Sequence, residues 1–365
     1  MNHKKVLFLV NHDVVIYNFR RELVERLLSE GYEVIISSPY GERIELLRQM
    51  GCKYVEAKID RHGKKPLSEI KLYLYYRRLI KKIGPMVVLT YTIKPTIYGA
   101  LAAEKCGIPC IANITGLGIA LEKKGLLQQA LIAVYKRSLR KTECVFFQNK
   151  SNLEFFENHG ITCKKKVLLP GSGVNIGEYA YENYPNYPNE QTKFLFVGRV
   201  MKDKGINEYL EAASKIKKAY PEVEFGIAGF IDGQYKEVLK KYQTEGIVQY
   251  YGQQMDIKPF YKKASAIVLP SYHEGMANVL LEAASMGRPV LASNIPGCRE
   301  TFDEGSSGLG FKEKDVRDLY EKMKFFIALP LEQKVLMGKR GREKMEREFN
   351  RDIVVNAYMK IINDL

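Results

Sequence analysis

Two pairs of charged residues have the types and spacing to handle a phosphorylated ligand. Glu274 and Glu282 are eight residues apart within 267–290, IVLPSYHEGMANVLLEAASMGRPV. Arg199 and Lys204 lie in a glycine-bounded stretch, Gly198-Arg-Val-Met-Lys-Asp-Lys204-Gly205. Both stretches read as strand, turn, helix. In the first, the apolar run 267–269 is a buried strand ended by Pro270, and His273-Glu274-Gly275 is a tight loop. A helix follows over 278–286, stopped by Gly287 and Pro289. A helix N-terminus offers free N–H groups and positive dipole, which suits a phosphate. Glu274 then sits at the strand's C-terminal end, and Glu282 one turn into the helix, toward the same crevice. In the second stretch, a strand over 194–197 leads into the Arg199–Lys204 loop and a helix over 206–219. Two cations beside a helix start can clamp a diphosphate through charge-assisted hydrogen bonds. Plainer readings stand beside these: a Glu favoured by the helix dipole alone, and an exposed charged turn.

Glu-x7-Glu within HEGMANVLLEAASMGRPV, with the trailing Gly-x-Pro in register, resembles the signature of family 4 glycosyltransferases. The Gly-Arg-x4-Lys-Gly loop is similar to the one that opens that family's donor domain. The resemblance covers roughly 194–300 in motif and the N-terminal half in architecture. It implies an α/β chain of GT-B fold, with two Rossmann-like domains facing across a cleft. It implies a retaining enzyme using a nucleoside diphosphate sugar, with no metal site and no further cofactor. Glu274 would contact the donor sugar as the catalytic candidate, Glu282 the ribose, and Arg199 and Lys204 the diphosphate. Gly275, Met276, Ala277 and Asn278 would form the phosphate-facing turn, and Gln253 would lie near uracil. The chain departs from the family twice. Its first loop, NHDVVIYN, has no glycine pair, and Asn113 and Thr115 stand in the loop where many relatives have a histidine.

The elements that must position these residues alternate along the whole chain. In the first half, strands are expected over 6–10, 33–37, 53–57, 86–90, 110–113, 144–148 and 167–169. Helices are expected over 19–29, 44–50, 67–83, 97–106, 125–141 and 152–158, with Asn18 capping the first. His12 lies in the loop before it. Lys94 falls in a loop past a strand end, where open α/β sheets place ligand contacts. It reads equally as a substrate-anion contact or a solvated lysine. Gly116-Leu-Gly118 follows another strand, but position 121 is Leu, so the three-glycine dinucleotide fingerprint is incomplete. In the second half, strands are expected over 224–228, 248–251 and 290–293, and helices over 234–244 and 256–263. Glu300 either starts a helix or supports the donor loop. The domains are placed at 1–175 for acceptor and 191–345 for nucleotide sugar. A Tyr/Asn/Pro-rich linker spans 176–190, and 346–365 is a C-terminal helix crossing back to the first domain.

A length of 365 residues allows two domains with a core each. The net charge of +15 is uneven: residues 1–190 hold 29 Lys and Arg against 18 Asp and Glu. A basic half suits an acidic partner. The helix over 125–141 joins Leu127, Leu131, Val134 and Tyr135 to Lys136, Arg137, Arg140 and Lys141. It fits a membrane-surface helix or a packing helix with a cationic C-terminus. Six scattered cysteines form no C-x2-C pair, which fits a reducing cytoplasm. The N-terminal apolar run of five is too short for a signal core, and nothing approaches the roughly 20 residues of a spanning helix.

The expected function is transfer of a hexose or N-acetylhexosamine from a UDP-sugar to a lipid-linked, polyprenyl-diphosphate-bound sugar or growing glycan. The expected place is the inner face of the cell membrane, on an anionic surface, in surface-polysaccharide synthesis. One alternative is a GT-B sugar-nucleotide epimerase. Another is a basic nucleic-acid binder, against which no aromatic-basic motif is found.

Overall fold

The computed structural model describes residues 4–58, 66–116, 121, 125–188 and 191–365. It divides into two compact units: Met1–Ser172 with Arg351–Leu365, and Gly173–Asn350.

Unit one is built on seven strands: β1 (Lys5–Leu9), β2 (Glu33–Ser38), β3 (Lys53–Glu56), β4 (Val87–Tyr91), β5 (Cys110–Ile114), β6 (Cys144–Phe147) and β7 (Lys166–Leu168). All pair in parallel, in the order β3-β2-β1-β4-β5-β6-β7. The unbroken apolar runs explain this, because a parallel sheet is buried on both faces. Val6, Phe8, Val87, Leu89 and Ile111 point to one face. Helices α1 (Asp13–Ser29) and α2 (Ile44–Gln49) cover it. The alternate residues Leu7, Leu9, Val88 and Ala112 point to the other. There they meet α3 (Pro66–Ile83), α4 (Ile93–Cys106), α5 (Leu126–Leu139) and α6 (Lys150–Asn158).

Two helix starts differ from expectation. Helix α1 begins at Asp13, so Asn18 is interior to it and not a cap. His12 is the N-cap: Val14 N donates to its Nδ1 at 3.4 Å. The β-branched run Val14-Val15-Ile16 reads as non-helical by propensity, but Ile16 packs into the core and tertiary burial prevails. Helix α4 begins at Ile93, four residues early. Thr92 adopts φ +69°, a left-handed turn that ends β4 and starts the helix at once. Pro95 is accommodated because a first-turn N–H has no intrahelical acceptor.

Unit two repeats the pattern with β8 (Lys193–Val197), β9 (Glu224–Ala228), β10 (Gln249–Tyr250), β11 (Ala266–Leu269), β12 (Val290–Ser293) and β13 (Gly308–Phe311). Its parallel order is β10-β9-β8-β11-β12-β13. On one face, Phe194, Phe196, Val268 and Leu291 pack with α7 (Ile206–Ala219), α8 (Lys236–Thr244), α11 (Val316–Ala328) and α12 (Leu331–Lys344). On the other, Leu195, Ile267, Leu269 and Val290 meet α9 (Lys258–Lys263) and α10 (Asn278–Ser285).

The segment 176–190, expected to be a linker, is strapped to unit two over its described part. The fully buried Arg288 donates from Nη2 to the carbonyls of Glu182 and Asn183 at 2.7 Å each. Arg342 donates to those of Ile176 and Tyr179, and Tyr187 to that of Lys263. At the other end, unit two runs to Asn350. Helix α13 (Arg351–Asn363) then packs in unit one, where Tyr358 lies 4.3 Å from Phe146, ring to ring. The Arg20 guanidinium sits over Tyr91 and Tyr358, and Arg351 pairs with Glu22.

Candidate active site

In unit two the strand order reverses between β8 and β11, which are neighbours in the sheet. Loops leaving the carboxyl ends of such strands diverge and open a crevice for ligands. The β8 loop carries Arg199 and Lys204, and the β11 loop carries Glu274. Topology alone therefore brings together residues 70 positions apart.

Two glycines hold these loops in contact. Gly205 has φ +70°, and a Cβ there would lie 2.0 Å from Pro270 O. The β8 loop thus presses its backbone against the end of β11, and no side chain fits between. Gly297 has φ +84°, and a Cβ there would stand 2.6 Å from Glu274 O. Ala277 N donates to Gly297 O at 2.8 Å, and Gly297 N donates to Glu300 Oε2 at 2.7 Å. Glu300 lies in a single 3-10 turn, Arg299–Thr301, and braces the Gly297 backbone that meets the Glu274 loop. Tyr272 completes the lacing: its N–H donates to Asp203 O, and its hydroxyl to Glu208 Oε1 at 2.7 Å.

At the centre, Lys204 Nζ lies 2.5 Å from Glu274 Oε1. The buried Ser271 hydroxyl donates to the same oxygen at 2.8 Å. Lys204 and Glu274 are only 20% and 13% exposed, so their attraction is less screened than a surface pair's. Beyond the turn Gly275-Met276-Ala277, α10 starts at Asn278 with no side-chain cap and no acidic residue in its first turn. Its first turn therefore adds no carboxylate against the positive dipole end, which suits an anion. Asn278 Oδ1 is buried with no hydrogen-bond partner among the described residues. Glu282, one turn further, accepts from the Tyr261 hydroxyl at 3.0 Å. Burial first, then the Glu274 carboxylate, raises the Cys298 thiol well above its usual pKa, so this neighbour stays neutral.

Arg199 and Gln253 are exposed, at the carboxyl ends of β8 and after β10. In unit one, Lys94 is not in a loop. It is the second residue of α4 and pairs with Glu69 at 2.7 Å. Its ammonium therefore carries a carboxylate partner within its own unit. Thr115 and Gly116 are half-buried directly after β5. Gly118 lies outside the described residues. Ser271, Tyr261, Tyr272 and Gly297 escaped the sequence reading. Of these, only Ser271 carried a local signal, three residues before Glu274, within reach of a side-chain turn.

Both units are Rossmann-like, and together they form a GT-B fold whose second unit carries the family loops. The chain belongs to the glycosyltransferases of family 4 type: "Glycosyl transferases group 1" matches residues 181–344, and "Glycosyl transferase 4-like" matches residues 5–149. It is similar to the N,N'-diacetylbacillosaminyl-diphospho-undecaprenol alpha-1,3-N-acetylgalactosaminyltransferase of Campylobacter jejuni, 26% identical over 98% of each chain. It is also similar to the capsular polysaccharide biosynthesis glycosyltransferase CapM of Staphylococcus aureus, at 23% identity over 97% of this chain and 95% of the other. Among solved structures, a glycosyltransferase from Rickettsia africae superposes at a TM-score of 0.80 and 18% identity, covering 100% of this chain and 99% of that one. Anabaena HepE in complex with UDP-glucose gives 0.79 at 15% identity, covering 100% of both chains.

Proposed function

We propose that the protein transfers a hexose or N-acetylhexosamine, with retention, from a UDP-sugar to a polyprenyl-diphosphate-linked sugar or growing glycan. The observation that carries this reading is the Lys204–Glu274 pair at the switch point of unit two, beside the N-terminus of α10. Arg199, Lys204 and the α10 dipole meet the diphosphate, which must leave as an anion, so fixed positive charge lowers the barrier. Glu274 faces the sugar and Glu282 accepts from the ribose hydroxyls. The relatives support the choice of partners: the C. jejuni enzyme is named for a diphospho-undecaprenol acceptor, and the Anabaena protein is seen with UDP-glucose.

Incubating the protein with a panel of UDP-sugars, with and without lipid-linked acceptors, tests the reading. Mass spectrometry is expected to find one acceptor heavier by a single hexose or N-acetylhexosamine, and proton NMR of that product is expected to show the donor's anomeric configuration kept. Conversion of a UDP-sugar without acceptor, or no use of any UDP-sugar, overturns it.

The acceptor end of the proposal places unit one on the anionic inner face of a membrane. The structure splits the apolar residues of α5. Ile132, Tyr135 and Leu139 are buried, while Leu126 and Leu127 are 86% and 57% exposed, and Val134 is exposed as well. Helix α3 exposes Leu67, Ile70 and Leu74 together with Lys71, Arg78, Lys81 and Lys82. A groove of about 980 Å³ between α3, α4 and α5 adds Tyr73, Tyr98 and Leu101. Exposed leucines beside cations suit an interfacial helix. Among the described residues no helix is long and apolar enough to cross a membrane. Lys136, Arg137, Arg140 and Lys141 are all exposed, with Arg137 and Lys141 sharing Glu104 at 2.6 and 3.5 Å. At about 1 kcal/mol per basic residue near such a surface, replacing all four by Gln is expected to weaken binding to anionic vesicles on the order of a thousandfold. UDP affinity should hold. Wild-type protein that ignores anionic vesicles at low salt defeats the membrane reading.

A further inference from the structure

Tyr261 stands outside every role assigned above. It lies on α9, ahead of β11, with its ring fully buried among Leu195, Ala228, Ile267, Leu280 and Ala283. Its hydroxyl reaches across to α10. It lies 3.0 Å from Glu282 Oε2 and 3.3 Å from Val279 O. One hydroxyl carries one proton, and an ionised carboxylate is the stronger and here the nearer acceptor. Burial, and then the Glu282 charge, raise the phenol's pKa well above its usual value, so it remains a donor at working pH.

Phenylalanine would fill the same apolar space without a buried hydroxyl to satisfy. The hydroxyl's other effect is on Glu282, whose side chain is partly buried. A Glu has three torsions to settle, and ordering it when a ligand arrives lowers affinity. A tyrosine has only two, and this one is locked by its packing, so it is a rigid support of the kind that binding groups need. A carboxylate has about four lone-pair positions and can accept from a tyrosine and from sugar hydroxyls together.

We propose that Tyr261 is a positioning residue, whose hydroxyl holds the Glu282 carboxylate in the orientation that accepts the ribose hydroxyls of the donor. The site thereby distinguishes a ribonucleotide from one lacking those hydroxyls. The inference rests on the reading of Glu282 as the ribose acceptor.

Calorimetry with UDP and 2′,3′-dideoxy-UDP tests it on the full chain. Wild-type protein is expected to bind UDP more than tenfold tighter than the dideoxy analogue. Tyr261→Phe should lose about tenfold in UDP affinity, the worth of a hydrogen bond to a charged group, and keep dideoxy-UDP within about twofold. Glu282→Ala, where Tyr261 keeps its ring and loses its carboxylate acceptor, should also lose most of the discrimination. Wild-type protein that binds both nucleotides equally removes the ribose role of Glu282, and the proposal with it. If wild type and Tyr261→Phe discriminate equally well, the proposal alone falls. Equal weakening of both nucleotides in Tyr261→Phe assigns the hydroxyl to the core and overturns it too.

Discussion

Glu274→Ala is expected to lower turnover by roughly 10²–10³ while leaving UDP affinity unchanged or slightly tighter, the range seen when one fixed transition-state partner is removed. The split follows from the geometry. Glu274 sits at the end of β11, where the proposed donor's sugar rests, and UDP has no sugar to miss it. The same carboxylate holds Lys204 Nζ at 2.5 Å. A diphosphate must share that ammonium with Glu274, so removing the carboxylate frees the cation for the nucleotide. The loop should survive the change. Tyr272 to Asp203, Tyr272 to Glu208 and Ala277 to Gly297 hold it through groups other than the Glu274 side chain. Glu274→Gln keeps an oxygen for Ser271 and loses the charge, so its turnover should fall nearly as far. Steady-state turnover and UDP calorimetry on the two variants check this. Parallel losses of turnover and UDP affinity make Glu274 a loop-shaping residue and sink its role at the sugar.

Most of the fold was legible because parallel strands announce themselves as unbroken apolar runs, which fall within a residue or two of every observed β-strand except β13, whose Gly-Leu-Gly-Phe run is broken by glycine. The two carboxylates and two cations were legible because a loop between strand and helix is a local feature. Errors arose where tertiary contacts override local propensity. The start of α1 was missed because Val14, Val15 and Ile16 resist a helix in isolation, and the burial of Ile16 cannot be read from its neighbours. Lys94 reads as a loop residue because it lies just past a strand end, whereas Thr92 at φ +69° turns the chain straight into α4. The strap at 176–188 read as a linker because Arg288, which holds it, is over a hundred residues away. The same holds within the site. Sequence spacing shows Glu274 and Glu282 as a pair, yet each is held by a residue that spacing does not connect to it: Glu274 by Lys204 across the reversal of strand order, and Glu282 by Tyr261 from another helix.

Lys204→Ala is expected to weaken UDP binding by about 2–3 kcal/mol, roughly 30- to 150-fold, and the loss should exceed that of the missing contact. The variant removes the cation and leaves Glu274, only 13% exposed, facing an arriving diphosphate with its charge no longer offset by Lys204. Like charges in a partly desolvated site repel strongly. This makes the pair non-additive in a definite direction. Lys204→Ala with Glu274→Ala should bind UDP more tightly than Lys204→Ala alone, although it carries one more truncation. Residues in direct contact show such coupling, and a double-mutant cycle measures it. Arg199→Ala should cost less, at the low end of that range, because Arg199 is exposed and water screens its charge. Its contribution should also shrink as salt rises, more than that of Lys204. Calorimetry of UDP binding to the three single variants and the double variant, at low and at physiological ionic strength, decides the matter. Unchanged affinity in Lys204→Ala removes the diphosphate clamp. A double variant no tighter than Lys204→Ala means that the Glu274 carboxylate does not feel the phosphates, and the ion pair then serves only to hold the two loops together.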